Sequence, residues 1–110
     1  MDHIEIVKRM VAAYEAADRE AAERIIGDPF AFSAPPDPHL DRAGYWERCW
    51  PGAGRGTRMD PVRLVEIGDD EVLMTYEATR ADGTRFRNSE IYGFDGDRIA
   101  RIEVYFGWDL

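Results

Sequence analysis

The chain has 110 residues, with 22 acidic and 14 basic side chains and a formal net charge of -8. This length fits one hydrophobic core, so we predict a single domain over residues 1–110. The acidic balance disfavours nucleic acid and anionic membranes as partners, because phosphate binding needs a basic surface. No apolar run approaches the ~20 residues that span a bilayer. The charged start MDHIEIVKRM is unlike a signal peptide, so we expect a cytoplasmic protein.

Two helices are predicted at the start of the chain. Apolar side chains recur at helical spacing over about residues 3–16. They are Ile4, Val7, Val11 and Tyr14. Asp18 is a candidate cap for a second, short helix, which Gly27 and Pro29 are expected to end. The two elements predict a helical hairpin.

A short strand and a proline-rich segment follow the hairpin. We predict the strand over Phe30–Ser33, and we expect Pro35, Pro36 and Pro38 to form a loop that does not pair in a sheet. Asp41 is then positioned to cap a third helix with the sequence RAGYWERCW. The aromatic residues of that helix are too numerous for a solvated surface, so we expect them to be packed.

The pattern changes to strands from Pro61 onward. The four candidates are PVRLVEIG, DEVLMTYEATR, TRFRNSEIYGF and RIARIEVYFG. Asp82-Gly83 and Asp95-Gly96 lie between apolar runs and predict tight hairpins, so the last three strands should form an antiparallel meander. Helices followed by a sheet indicate an α+β fold. The GAGRG stretch at residues 52–56 lacks the lysine and following helix of a phosphate loop, and we interpret it as a flexible connector.

The third strand candidate mixes polar and aromatic side chains on one face. Counting by twos places the following residues together: Phe86, Asn88, Glu90, Tyr92 and Phe94. A carboxylate and an amide within an aromatic stripe indicate either a ligand cavity or a core with an unusual polar cost.

Three segments together resemble the SnoaL-like branch of the nuclear transport factor 2 like superfamily. They are VKRMVAAYEAAD, FAFSAPPDPHLDRAGYWERCWP and FRNSEIYGFDGDRIARIEVYFG. The resemblance implies a cone-like, curved, antiparallel or mixed sheet wrapped around the helical hairpin and the third helix, with a pocket at the open end. It also implies a homodimer formed through the outer face of the sheet.

Function does not follow from this fold, which serves many chemistries. By resemblance to the steroid isomerases of the superfamily, Met10 takes the place of their helix tyrosine, Ala34 or Pro35 that of their base, and Glu90 that of their protonated acid. Tyr14 is then a candidate for the missing hydroxyl. Asp37 and His39 are candidates for the missing base. The Arg and Asp pair of the related epoxide hydrolases is absent, since positions 88 and 90 are Asn and Glu.

Glu90 is the main catalytic candidate. In an aromatic cavity, desolvation would raise its pKa and suit it to general acid/base work. Alternatively, a bulge would turn it outward toward Arg101 or Arg87 as a surface pair. Asn88 is either a carbonyl-orienting amide or a satisfied core residue, and Tyr14 either an oxyanion partner or a core ring.

Ligand-binding candidates are mostly apolar and equally compatible with a core. They are Met10, Trp46, Trp50, Met74, Tyr76, Phe86, Tyr92, Val104, Phe106 and Trp108. On the last strand we expect Ile102, Val104 and Phe106 to face inward. The outward set, with charged partners on neighbouring strands, is then the predicted dimer surface: Arg101, Glu103, Tyr105, Glu77 and Arg87. Cys49, the only cysteine, is interpreted as a small buried hydrophobe.

Three functional hypotheses follow. The first is an enzyme without a cofactor or metal, an isomerase, cyclase, lyase or hydrolase-like protein that transfers protons on a small apolar carbonyl compound. The second is a non-catalytic ligand-binding or accessory homodimer. The third is a purely structural dimerisation module, whose cavity would be filled by its own side chains.

Overall fold

Three helical segments and six strands make up the chain, whose computed structural model describes residues 2–110. In chain order they are α1 His3–Ala16, α2 Arg19–Ile25, β1 Ile26–Ala34, β2 Asp37–Asp41, α3 Arg42–Gly44, β3 Arg58–Ile67, β4 Glu71–Thr79, β5 Arg85–Asp95 and β6 Arg98–Asp109. A π-helical turn, Tyr45–Cys49, and a 3₁₀ turn, Trp50–Gly52, continue α3. Within the described residues, no helix is long and apolar enough to cross a membrane.

All six strands form one mixed, open sheet in the order β2-β1-β6-β5-β4-β3. Only β1 and β6 run parallel to each other, and every other neighbouring pair is antiparallel. The predicted α+β fold, with a mixed sheet packed around the helices, is confirmed. Gly83 and Gly96 adopt positive φ angles in the two predicted Asp-Gly turns, a conformation that favours glycine.

The predicted helix starts after α1 are also confirmed. Asp18 Oδ1 accepts from the backbone N–H of Ala21 at 3.1 Å, and Asp41 Oδ1 accepts from Gly44 at 2.7 Å. Both bonds satisfy backbone donors that a helix N-terminus leaves unpaired. The third segment differs from a regular helix, because its hydrogen-bonding widens into the π-helical turn from Tyr45 onward.

Two predictions about the segment before α3 are wrong. The first strand begins directly after α2, at Ile26, where its pairing with Ile99 of β6 extends the sheet. The proline-rich segment is not an unpaired loop, since β2 folds back on β1 through a turn at Pro35 and Pro36. Pro38 is tolerated in β2 because this is an edge strand, which needs no donor on its outer side.

The core lies between α1 and one face of the sheet. Buried side chains from the helix meet buried side chains from β4, β5 and β6. They include Ile6, Val7, Met10 and Val11 from α1, and Val72, Met74, Tyr92 and Ile102 from the strands. We call this face of the sheet the inner face, and the opposite one the outer face.

Candidate active site

A cavity of about 540 Å³ opens between α1, the turns after it and the inner face of β4 and β5. Its lining combines aromatic rings with aliphatic side chains, and exposed charged side chains also line it. The lining residues are Met10, Val11, Tyr14, Phe32, Tyr45, Cys49, Arg55, Thr57, Met59, Tyr76, Ala78, Arg80, Ala81, Asp82, Phe86, Asn88, Glu90, Tyr92 and Ile102.

Glu90 lies in this cavity between two tyrosines. Tyr76 donates its hydroxyl hydrogen to Glu90 Oε1 at 3.0 Å, and Tyr92 donates to Oε2. The strand register explains the arrangement: Glu90 and Tyr92 alternate onto the inner face of β5, and Tyr76 lies opposite Asn88 on β4. Both oxygens of the carboxylate are therefore held in place by protein donors.

Asn88 continues the network on the same face. Its Nδ2 lies 3.5 Å from the Tyr76 hydroxyl, and its Oδ1 accepts from the backbone N–H of Gly107 at 3.0 Å. Gly107 is the extra residue of a bulge in β6, because Arg87 pairs with Trp108 and Asn88 with Phe106. Asn88 thus orients Tyr76, rather than offering a free amide to a ligand.

Burial dominates the electrostatics of the cavity. Desolvation raises the pKa of Glu90 above the usual value of 4.5, while the hydrogen bonds from Tyr92 and Tyr76 act in the opposite direction. Desolvation and the nearby Glu90 charge raise the pKa of Tyr76 and Tyr92 well above 10.0. The tyrosines therefore stay neutral donors, and Glu90 takes up a proton more readily than an exposed glutamate.

Two further tyrosine hydroxyls have no hydrogen-bond partner among residues 2–110. Tyr14 comes from the last turn of α1 and Tyr45 from the π-helical turn, and both line the cavity. Burial, with smaller effects of Cys49 and Glu90, raises the pKa of Tyr14 to about 12. These hydroxyls are the donors that a ligand oxygen can use.

The tryptophans of the third helical segment lie behind the tyrosines, and neither lines the cavity. Trp50 packs edge-on against Tyr14, with ring centroids 5.6 Å apart, and Trp46 packs edge-on against Tyr45 at 5.3 Å. The π-helical turn directs Tyr45 into the fold and Trp46 beside α2, where Arg19 covers its ring. We therefore assign these tryptophans to positioning Tyr14 and Tyr45.

The structure brings part of the predicted site together. Seven predicted residues line the cavity: Met10, Tyr14, Tyr76, Phe86, Asn88, Glu90 and Tyr92. Met74 and Val104 pair with Glu90 on the inner face but do not line the cavity. Phe106 is opposite Asn88 and is 60% exposed, because β1 pairs with β6 only as far as Glu103 and leaves the end of β6 uncovered.

Three other predicted site residues lie outside the cavity. The bulge at Gly107 places Trp108 opposite Arg87, on the outer face. Asp37 forms an ion pair with Arg48 at 2.6 Å. His39 is an exposed β2 residue with a positive φ angle. The edge strand formed by the prolines thus carries the two candidate bases away from the cavity.

Several lining residues were not predicted from the sequence. Tyr45 and Cys49 come from the π-helical turn. The spacing of a regular α-helix does not predict where side chains point in such a turn. Arg55 and Thr57 come from the glycine-rich connector, and Arg80 and Asp82 from the turn before β5. No pattern in the sequence places a loop residue at a cavity mouth. For Tyr45, the sequence predicts only that the aromatic residues of the third helical segment are packed, and not that this ring lines the cavity.

The same geometry bears on the protonation state of the Cys49 thiol and on metal binding. Burial, followed by the charges of Glu90 and Asp37, raises the pKa of the Cys49 thiol to about 12, so it stays protonated near neutral pH. Within residues 2–110, no three histidine, cysteine or carboxylate side chains converge as a metal-binding group.

Comparisons with known proteins give the fold. No family model matches the chain, and no curated protein matches it. An NTF2-like protein of unknown function from Cytophaga hutchinsonii is 20% identical, with a TM-score of 0.77 over 97% of this chain and 91% of that one. TerC, co-crystallised with polyporic acid, is 19% identical, with a TM-score of 0.79 over 96% and 91%.

Other similar structures are described as ketosteroid isomerase or polyketide cyclase proteins. One of the former, from Kribbella flavida, is 12% identical, with a TM-score of 0.81 over 96% of this chain and 77% of that one. One of the latter, from Sinorhizobium meliloti, is 17% identical, with a TM-score of 0.77 over 91% and 93%. The resemblance expected from the sequence is therefore confirmed at the level of the NTF2-like, cystatin-like fold.

Proposed function

We propose that this NTF2-like fold is a cofactor-independent enzyme that transfers a proton on a small apolar carbonyl compound. The observation that carries the proposal is the Glu90 carboxyl group, which two tyrosine hydroxyls hold inside an aromatic cavity. A carboxyl group whose pKa is raised by desolvation holds a proton more readily than an exposed one and can still release it, which suits it to general acid/base work.

The proposed reaction uses one carboxyl group twice. Ionised Glu90 takes a hydrogen from the carbon beside the substrate carbonyl: the C–H bond breaks, an O–H bond forms on Glu90, and the electron pair moves to the carbonyl oxygen. The hydroxyl of Tyr14 or Tyr45 donates a hydrogen bond to the resulting enolate oxygen. Protonated Glu90 then returns the proton to a carbon of the conjugated enolate other than the one that lost it: the O–H bond on Glu90 breaks, a C–H bond forms and the C=O bond is restored, which isomerises an unsaturated carbonyl compound without an external acid or base.

A second function, non-catalytic ligand binding, is favoured by one specific observation. Ala34, the last residue of β1, and Pro35, in the turn after it, stand where the resemblance to steroid isomerases places a base, and Asp37 and His39 lie outside the cavity. Among residues 2–110, Glu90 therefore has no second carboxylate or histidine beside it deep in the cavity. A protein that kept the pocket and lost the chemistry would have this arrangement.

Hydrogen–deuterium exchange of a model ketone separates the two functions. We would incubate the protein with 2-tetralone in D₂O and follow loss of the α-proton signals by NMR. The enzyme should accelerate exchange, and Glu90→Gln should lower the catalysed exchange rate by about 10²- to 10⁴-fold. Glu103→Gln, on the outer face of β6, is the matched control and should leave exchange unchanged. Binding without acceleration would favour the second function.

We also propose a homodimer formed through the outer face of the sheet. Tyr105 and Trp108 are 50% and 61% exposed there, beside Glu77, which bonds to Arg85 at 2.9 Å and to Arg87. Exposed aromatic side chains around charged groups that already pair with one another are typical of protein interfaces. The structural-module hypothesis loses support, because the cavity is not filled by side chains.

The proposed location is the cytoplasm. Cys49 is the only cysteine, so the chain has no internal disulfide that an oxidising compartment would form. Fractionation of cells that make the tagged protein tests this proposal. Recovery with the periplasmic or secreted fraction would contradict it.

A further inference from the structure

Two arginines at the cavity mouth lack the partners that most arginines of this acidic chain have. Arg48, Arg85, Arg87 and Arg101 each pair with a carboxylate within 4.0 Å. Among residues 2–110, no carboxylate lies within that distance of Arg55 or Arg80. Both arginines are exposed and line the cavity. Among residues 2–110, several other arginines, Arg9 among them, also have no carboxylate within 4.0 Å, but only Arg55 and Arg80 line the cavity.

Both side chains are held in position without using up their donors. Arg55 Nε donates to the backbone carbonyl of Pro51 at 2.7 Å. The Arg80 guanidinium lies 4.3 Å from the ring centroid of Phe86 and donates to Thr84 Oγ1 at 3.3 Å. An arginine has five N–H donors in a planar fork. Each guanidinium therefore keeps free donors while its position is restrained.

The arginines come from two segments that touch. A side-chain carbon added at Gly56 would lie 3.1 Å from Cβ of Ala81, so the connector after the third helical segment contacts the turn before β5. Arg55 and Arg80 directly precede these two contact residues. The two arginines therefore come from neighbouring segments, and both line the cavity.

Charge at the mouth also limits what can bind. Asp82 lines the same opening, and its hydrogen bonds from Thr84, with a smaller effect of the nearby Arg80 charge, lower its pKa and keep it ionised. Two guanidinium groups and one carboxylate leave a single net positive charge. At the other end, the tyrosines are neutral and Glu90 is the only carboxyl group that the described part of the chain places there, so the interior is suited to an uncharged oxygen.

We infer that the ligand of this cavity is an apolar aromatic or polycyclic monoacid, with its carboxylate at Arg55 and Arg80 and its carbonyl oxygen toward Glu90, Tyr14 and Tyr45. This inference rests on the proposed function and adds the substrate class to it. Charge-assisted bonds to two restrained guanidinium groups provide selectivity for the anion. The aromatic walls supply the remaining contact area.

Binding of isosteric pairs tests the inference. The probes are 2-naphthoate against 2-naphthamide, and 4-phenylbenzoate against 4-phenylbenzamide, measured by calorimetric titration at low and at high salt. We expect each carboxylate to bind at least about tenfold tighter than its amide at low salt, and this preference to shrink at high salt. The Arg55→Gln, Arg80→Gln double variant should lose the preference and keep its affinity for the amides within about twofold.

Arg9→Gln is the matched control, because Arg9 is an exposed arginine of α1 that does not line the cavity. It should keep the preference. Equal binding of acid and amide by the unchanged protein would overturn the charge inference, yet leave the proposed cavity function standing. Absence of binding by either member of both pairs would overturn both. Loss of amide binding in the double variant would also count against the inference, since the arginines would then support the cavity rather than select the anion.

Discussion

Tyr92 donates a hydrogen bond to Glu90 from two positions further along the same strand, β5. Strand geometry alone places these two side chains on one face, and Tyr76 of β4 completes the clamp with a bond of 3.0 Å. The carboxylate thus has two fixed neutral donors and no cation within 4 Å among residues 2–110. Its ionisation is therefore governed by the balance between these bonds and desolvation.

Removing one donor should shift that balance in a known direction. Tyr76→Phe or Tyr92→Phe removes a bond that stabilises the carboxylate, so each variant should raise the pKa of Glu90 further above its value in the unchanged protein. Carbon-detected NMR titration of the Glu90 carboxyl group measures this. Tyr105→Phe, whose hydroxyl bonds to Glu103 on the outer face, is the control. An unchanged or lowered pKa in both cavity variants would contradict the clamp.

The raised pKa of Glu90 also predicts a dependence of stability on pH. The folded state holds the proton more tightly than the unfolded state, whose glutamate titrates near 4.5. Stability from this group is therefore fully present below that pH and is lost as pH rises through the higher folded pKa. Thermal melts between about pH 4 and pH 8 should show Glu90→Gln gaining stability relative to the unchanged protein as pH rises. Parallel melting curves would count against a desolvated Glu90.

Gly107 should be intolerant of any side chain. A Cβ at this position would overlap the carbonyl oxygen of Arg87, and the bulge that supports Asn88 would have to shift. Gly107→Ala should lower the free energy of unfolding by about 1–3 kcal/mol, measured by urea titration. Gly68→Ala is the comparison, because Gly68 has a positive φ angle and no neighbour within 4 Å of the added carbon. Gly68→Ala measures the cost of a side chain at positive φ without overlap, so a Gly107→Ala cost below about 1 kcal/mol would contradict the steric overlap.

The proposed dimer can be tested with two adjacent residues of β6. Tyr105 faces outward and Phe106 faces the inner side, yet both are at least half exposed. Tyr105→Asp should weaken a dimer at the outer face, whereas Phe106→Asp should leave it intact, as measured by analytical ultracentrifugation. A monomeric unchanged protein, or equal effects of the two substitutions, would refute the outer-face dimer.

Cys49 should react slowly with thiol reagents. A thiol whose pKa is about 12 carries far less thiolate near neutral pH than one with the usual value of 9.0. We expect its reaction with iodoacetamide to be at least about a hundredfold slower in the folded protein than in urea. Comparable rates would show that the thiol is neither buried nor protonated as described.

The sequence predicted the features that follow from the alternation of side chains along a strand and from short turn motifs. The alternation of β5 placed Asn88, Glu90 and Tyr92 on one face because a strand has a period of two, and the Asp-Gly pairs located the turns. The prediction that Trp108 lines the ligand site is wrong because the bulge at Gly107 breaks the repeat, and the one sequence indication of that bulge is an isolated glycine within the strand. Whether a face is covered also depends on distant strands, so the exposure of Phe106 could not be inferred locally.

The loop residues that line the cavity were not predicted from the sequence either. Arg55 and Arg80 reach the cavity only because two non-consecutive segments meet at Gly56 and Ala81. Neither segment has a periodic pattern, and an exposed arginine in a loop is common in any soluble domain. The mouth of the cavity is therefore known from three-dimensional contacts alone.

The alternation of β5 has a mechanical consequence. Asn88 and Glu90 face the cavity, whereas Arg87 and Ser89, their immediate chain neighbours, face the opposite side of the sheet. A displacement of the strand by a bound molecule is therefore transmitted directly through the peptide backbone to the other surface. A one-residue slip in the pairing of β5 with its neighbours would exchange the two sets of side chains, placing arginine inside the cavity and glutamate outside it.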